Sequence, residues 1–125
     1  GAALERETID GMEYWSDPSA LAHDVPSPMA HLLPNYDELF IGYRDRSAVG
    51  GRIASTRLVS GGLADITHVV TIDGELVGGW KRTLGERRAV VALARAARLT
   101  SAEERAIAAA AERYARFLGV PVEIR

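Results

Sequence analysis

Four cationic side chains crowd into Lys81-Arg82-Thr83-Leu84-Gly85-Glu86-Arg87-Arg88, with Glu86 as the one acid among them. Ammonium and guanidinium groups meet phosphate oxygens, Lys as a point charge and Arg as a two-pronged fork. A basic β-ribbon tip here would contribute a salt-dependent, sequence-independent affinity for a phosphate backbone. The same charges could instead protect a sheet edge from pairing with another chain. Edge protection is the expectation for the isolated domain. A second cluster, Arg44 and Arg46 around Asp45, could grip phosphates or close a local salt bridge with Asp37 or Asp45.

Other combinations offer less chemistry. Asp37 and Glu38 are adjacent carboxylates, but neighbours point apart on a strand and diverge by about 100° on a helix. They are therefore poorly placed for acid–base work, and Asp37 is expected to fix the Pro34-Asn35-Tyr36 turn by receiving amides or an Arg. His23 and His31 have no recognised ligand spacing, and the chain has no cysteine. Neither a metal site nor a cofactor is expected. His68 is expected to be a hydrogen-bonded histidine on a sheet face. Trp80 and Tyr43 could stack on bases, although an aromatic residue on a strand more often belongs to a core. No serine sits in a G-x-S-x-G elbow, and neither Gly50-Gly51 nor Gly61-Gly62 is followed by the Lys-Ser/Thr of a phosphate loop. No catalytic residue is assigned.

The elements that must position these residues follow from local patterns. Leu4 to Trp15 predicts a hairpin about Asp10-Gly11, a pair suited to the positive φ angles of a type I′ turn. Ser16 to Pro34 carries four prolines and is expected to be an irregular, ordered connector. Leu39-Phe40-Ile41 suggests a buried strand, and Arg52 to Val59 a short helix. A meander follows: Ile66 to Ile72, Glu75 to Thr83, and about Arg87 to Ala94. A two-residue loop at Asp73-Gly74 would pair Ile72 with Glu75, Val70 with Val77 and His68 with Gly79. His68, Val70 and Ile72 would then share a face with Ile66.

Thr100 and Ser101 stand three residues before Glu103 and Glu104, the offset of a capping box, so a helix starts there. Ile107, Ala110, Ala111, Tyr114, Phe117 and Leu118 form its expected buried stripe. Gly119 and Pro121 end it, and Val120 to Ile124 could add a strand. The sum is one α+β domain over residues 1–125, mainly antiparallel sheet with a long C-terminal helix, and open to curling into a barrel.

With 125 residues, 47% hydrophobic and 26% charged, the chain can bury a core. No apolar run approaches the roughly 18 residues of a membrane span, and the start lacks a signal-peptide layout, so a cytoplasmic location is expected. The net charge of −2 is unlike that of a free-standing nucleic-acid binder. Fourteen of the fifteen basic residues are Arg, for which abundant Ala and Gly suggest GC-rich coding as the plainer cause.

Two further segments, His31-Leu32-Leu33-Pro34-Asn35-Tyr36-Asp37-Glu38-Leu39 and Gly42-Tyr43-Arg44-Asp45-Arg46-Ser47, resemble the Leu-Leu-Pro-x-aromatic-Asp-Glu and Gly-Tyr-x-Asp-Arg segments of winged-helix DNA-binding proteins of the AlkZ/YcaQ type. Asp73-Gly74-Glu75-Leu76-Val77-Gly78-Gly79-Trp80-Lys81-Arg82 resembles that family's Asp-Gly hairpin, and Ala111 to Gly119 its closing helix. These motifs, standing in the right order, make the resemblance specific. It implies the C-terminal, β-barrel-like part of a longer protein whose tandem winged-helix modules come first, in a family of DNA glycosylases. The family's Gln-x-Gln or Gln-x-Asp catalytic signature belongs to the N-terminal region, and this chain contains no glutamine.

The implied role is therefore a non-catalytic accessory domain, contacting double-stranded DNA through the parent and buttressing its winged-helix modules. The expected DNA-contacting set, read from the charge clusters, is Arg44, Arg46, Lys81, Arg82, Arg87 and Arg88, with Tyr36, Asp37 and Trp80 as structural motif residues. Removed from its parent, the chain could form a homodimer through exposed apolar surface. The alternative is a protein-interaction domain with no nucleic-acid role.

Overall fold

The computed structural model describes residues 3–21, 24–35, 37–38, 50–53 and 68–125. The chain opens with the expected hairpin: β1 (Glu5–Ile9) pairs antiparallel with β2 (Met12–Ser16), Ile9 opposite Met12. Asp10 and Gly11 hold φ of 51° and 79°, as a tight two-residue turn requires. The hairpin forms a sheet of its own.

The connector differs from its expectation. It contains a short 3₁₀ turn (Pro18–Leu21) and then β3 (Ala30–Leu33), a strand of the main sheet. Four residues between prolines are too few to show a period, and only pairing with a distant strand makes them extended. Asp73 organises the join. Its carboxylate accepts from Ser27 Oγ (2.9 Å) and Met29 N–H (2.8 Å), while its own N–H donates to the Met29 carbonyl (2.9 Å).

The main sheet has five strands in the order β3, β4 (Val69–Ile72), β5 (Glu75–Leu84), β6 (Ala89–Arg95) and β7 (Val122–Ile124). All neighbours are antiparallel except β6 and β7, which are parallel. Asp73 and Gly74, with φ of 49° and 83°, make the expected turn. Ile72 pairs with Glu75 as predicted, but Val70 pairs with Gly78 rather than Val77. A β-bulge is the reason: one extra residue on β5 shifts the register beyond Thr71. Accordingly His68 faces Trp80, whose N–H donates to its carbonyl at 3.0 Å, and not Gly79.

Helix α1 (Ser101–Leu118) starts at a complete capping box. Thr100 Oγ1 accepts from Glu103 N–H, and the Glu103 carboxylate accepts from Thr100 N–H. Gly119, left-handed with φ of 72°, closes it. Ile107, Ala110 and Ala111 are buried, Tyr114 and Leu118 half-buried. Phe117 departs from the expected stripe and is 84% exposed.

The core lies between α1 and one sheet face, where Val70, Ile72, Val77, Trp80 and Val91 meet Ile107 and Ala110. On the opposite face Val69 and Leu76 pack with Ile53. α1 touches both edge strands, β3 and β7. In a flat sheet those edges would stand about 19 Å apart, against a helix diameter of about 10–12 Å. The sheet therefore curls around α1 as a half-barrel, its edges unpaired with each other among the described residues.

Leu39-Phe40-Ile41 and most of the expected helix from Arg52 lie outside the described residues; Arg52 and Ile53 occupy a turn in which Ile53 N–H reaches the Gly50 carbonyl at 3.0 Å.

Candidate nucleic-acid interface

Among the described residues β4 pairs with β5 as far as Gly79, with the His68 carbonyl reaching Trp80, whereas β5 and β6 stay paired out to Leu84 and Ala89. Their far ends are joined by a loop closed by the Gly85 N–H to Arg88 carbonyl bond of 2.9 Å, and β7 runs along β6 there, Ala89 beside Val122 and Val91 beside Ile124. Because side chains alternate along a strand, Lys81 and Arg82 point to opposite faces. Arg82 lies on the α1 side, its Nη1 donating to Tyr114 Oη at 3.0 Å. Lys81 faces away from the helix. Arg87 and Arg88 sit in the closing loop, and Arg88 Nη1 approaches Glu123 Oε2 of β7 at 3.4 Å. Glu123 also accepts from Arg125 Nε at 2.7 Å, and chiefly that contact holds its carboxyl below the usual range.

Thus the cations do not converge on one tip. Lys81, Arg82 and Arg87 are exposed and have no carboxylate partner among the described residues. They stand on both faces of the β5–β6 end and in its closing loop.

The other sequence-derived candidates divide. Tyr36, Tyr43, Arg44, Asp45 and Arg46 lie outside the described residues, so the second cationic cluster has no described geometry. Asp37 is half-buried and Glu38 exposed. Trp80 is a core residue, 4% exposed, with Nε1 donating to the Leu33 carbonyl at 2.9 Å. Its ring meets His68 and Tyr114 edge-on, at centroid distances of 4.9 Å and 5.5 Å. Burial, then the Arg82 charge, pushes the His68 imidazole below its ordinary pKa. Among the described residues no group of three or more His, Asp or Glu gathers as a metal site.

One network escaped sequence reasoning. Arg52 Nη1 and Nη2 clasp both Glu103 oxygens at 2.6 Å and 3.2 Å, and Nη2 also reaches the Arg98 carbonyl at 2.9 Å. Arg52 foremost, then the Thr100 amide, draws the Glu103 carboxyl down from 4.5 to about 2. Arg95 clasps Glu104 at 2.7 Å and 2.9 Å. The capping offset had identified Glu103, but nothing local singles out Arg52, which lies 51 residues away.

A family model described as DNA glycosylase AlkZ-like matches residues 2–117. Among solved structures, the Streptomyces sahachiroi DNA glycosylase AlkZ matches with a TM-score of 0.60 at 22% identity, a likeness of fold. The match covers 100% of this chain and 34% of that one, so the chain spans about a third of that structure's length. No curated protein matches the chain.

Proposed function

Because the chain belongs to the DNA glycosylase AlkZ-like family, we propose that it is a non-catalytic, DNA-contacting accessory unit of a larger winged-helix DNA-repair protein. The observation that carries this reading is the exposed β5–β6 end, with Lys81, Arg82 and Arg87 lacking carboxylate partners among the described residues. Exposed cations on both faces of a strand end and in its closing loop can address successive phosphates of a duplex backbone. Such contacts position a protein without reading sequence. Arg88, shared with Glu123, would add less. Arg44 and Arg46 belong to the same proposal on sequence grounds alone. Chemistry on the base would fall to other parts of the parent, since this chain has no glutamine for the family signature.

The test is duplex binding as a function of salt. Each phosphate contact contributes about 0.9 to the slope of log K against log salt, so Lys81→Glu with Arg87→Glu should flatten it by about 2 and weaken low-salt binding. Unchanged slope and affinity would remove the phosphate-contact role.

A second reading has its own support. The β1–β2 hairpin exposes Ile9, Met12, Tyr14 and Trp15, the last at 61%. Isolated hairpins are marginal in water, and an exposed apolar group of this kind suits a protein partner, such as the winged-helix modules of the parent or a second copy of the chain.

A further inference from the structure

Phe117 is the most exposed large apolar side chain among the described residues, at 84%. It sits in the last turn of α1 and stacks on Tyr114, with ring planes 15° apart and centroids separated by 6.5 Å. Tyr114 is anchored beneath, edge-on to buried Trp80 and hydrogen-bonded by Arg82. The pair is therefore held from below, with Phe117 outermost. On β5, Leu84 lies two residues beyond Arg82 on the same face and is 56% exposed. Arg113 stands one turn before Phe117 on the same side of α1, and its Nη2 donates to the Ala30 carbonyl at 2.6 Å. Arg116 adjoins Phe117. The nearby helix acid, Glu112, is about 140° around α1 from Phe117.

We propose that the Tyr114–Phe117 pair, flanked by Arg82 and Leu84, is a stacking platform for an unpaired base of a DNA strand. The inference rests on the DNA-contact reading above and gives it a second, distinct element. Every base offers a π-face, so an exposed ring backed by a fixed second ring receives any of them, while flanking guanidinium groups follow the adjacent phosphates. A protein helix would need a broad apolar groove. Here the exposed apolar surface is narrow and edged by cations.

Fluorescence anisotropy with a labelled oligothymidine of about ten nucleotides, a length within the usual site sizes, tests this at low salt on the 125-residue chain. A stacked base is worth about 1–3 kcal/mol, so Phe117→Ala should weaken binding by about 5- to 160-fold. Phe117→Trp should retain it, and an abasic oligomer of equal charge should bind weakly to both. Phe117 is exposed, so far-UV circular dichroism should show either variant folded. Equal oligothymidine binding by wild type and Phe117→Ala, or equal wild-type binding of the abasic oligomer, would overturn the platform. If that occurs while Lys81→Glu/Arg87→Glu still loses duplex binding, only the platform falls. Absence of binding to either probe removes both.

Discussion

Residue types announce roles that distance then assigns. Trp80 could have stacked on bases or filled a core, and its sequence context allowed either. Burial decides it, because an indole removed from water needs its N–H satisfied, and the Leu33 carbonyl does so. Glu103 shows the converse. The capping offset is local and legible, but its partner Arg52 arrives from a distant segment. The resulting pKa shift has a definite sign. A carboxyl depressed from 4.5 to about 2 stabilises the folded chain fully above its unfolded value, and that contribution is lost as pH falls from about 4.5 through about 2. Thermal unfolding followed over that interval should show an acid-side decline that is shallower in Glu103→Gln, with part of the loss already present at neutral pH. An unaltered decline would mean that other carboxylates govern acid stability.

At the scale of elements, short-range signals located both tight turns and both ends of α1. Asp-Gly turns and the capping box depend on a few adjacent residues, so their chemistry is written locally. The bulge on β5 is different. By strict alternation Leu76 and Trp80 would share a face, yet Leu76 packs with Ile53 and Trp80 faces α1. The extra residue exchanges the faces and delivers Trp80 to the core. Gly78 is the residue of that region with the least room: a Cβ there would run into the Ala94 carbonyl oxygen of β6. Backbone cannot yield as a flexible side-chain end can. Gly78→Ala should therefore cost about 1–3 kcal/mol, read as a lower urea midpoint. A midpoint within error of wild type would show that β5 and β6 can separate freely there.

For the whole molecule, the half-barrel is organised around α1, and neither core cluster draws a residue from the hairpin β1–β2. Deleting residues 1–16 should leave cooperative unfolding with a melting temperature within a few degrees of the intact chain. Loss of cooperativity would reveal that the hairpin supports the core. The same separation leaves the hairpin's apolar side chains available for a partner. A net charge of −2 argues against binding nucleic acid all over the surface. The arrangement sharpens that point. Arg52 and Arg95 are occupied by Glu103 and Glu104, whereas Lys81, Arg82 and Arg87 have no carboxylate partner among the described residues. Counting charges could not separate these groups, because pairing depends on which segments meet.

The sequence by itself determined the α+β class, the β1–β2 and β4–β5 turns, the limits of α1, and the family resemblance. Each rests on patterns a few residues long or on motifs in linear order. Tertiary structure decided the rest: that Ala30–Leu33 is a strand, that the meander carries a bulge, and that the sheet curls around α1. It also decided that Arg82 takes the α1 side of the sheet and that Phe117 leaves the core. Helical period places Phe117 on the buried side of α1, but only the extent of the sheet beneath decides whether anything covers it.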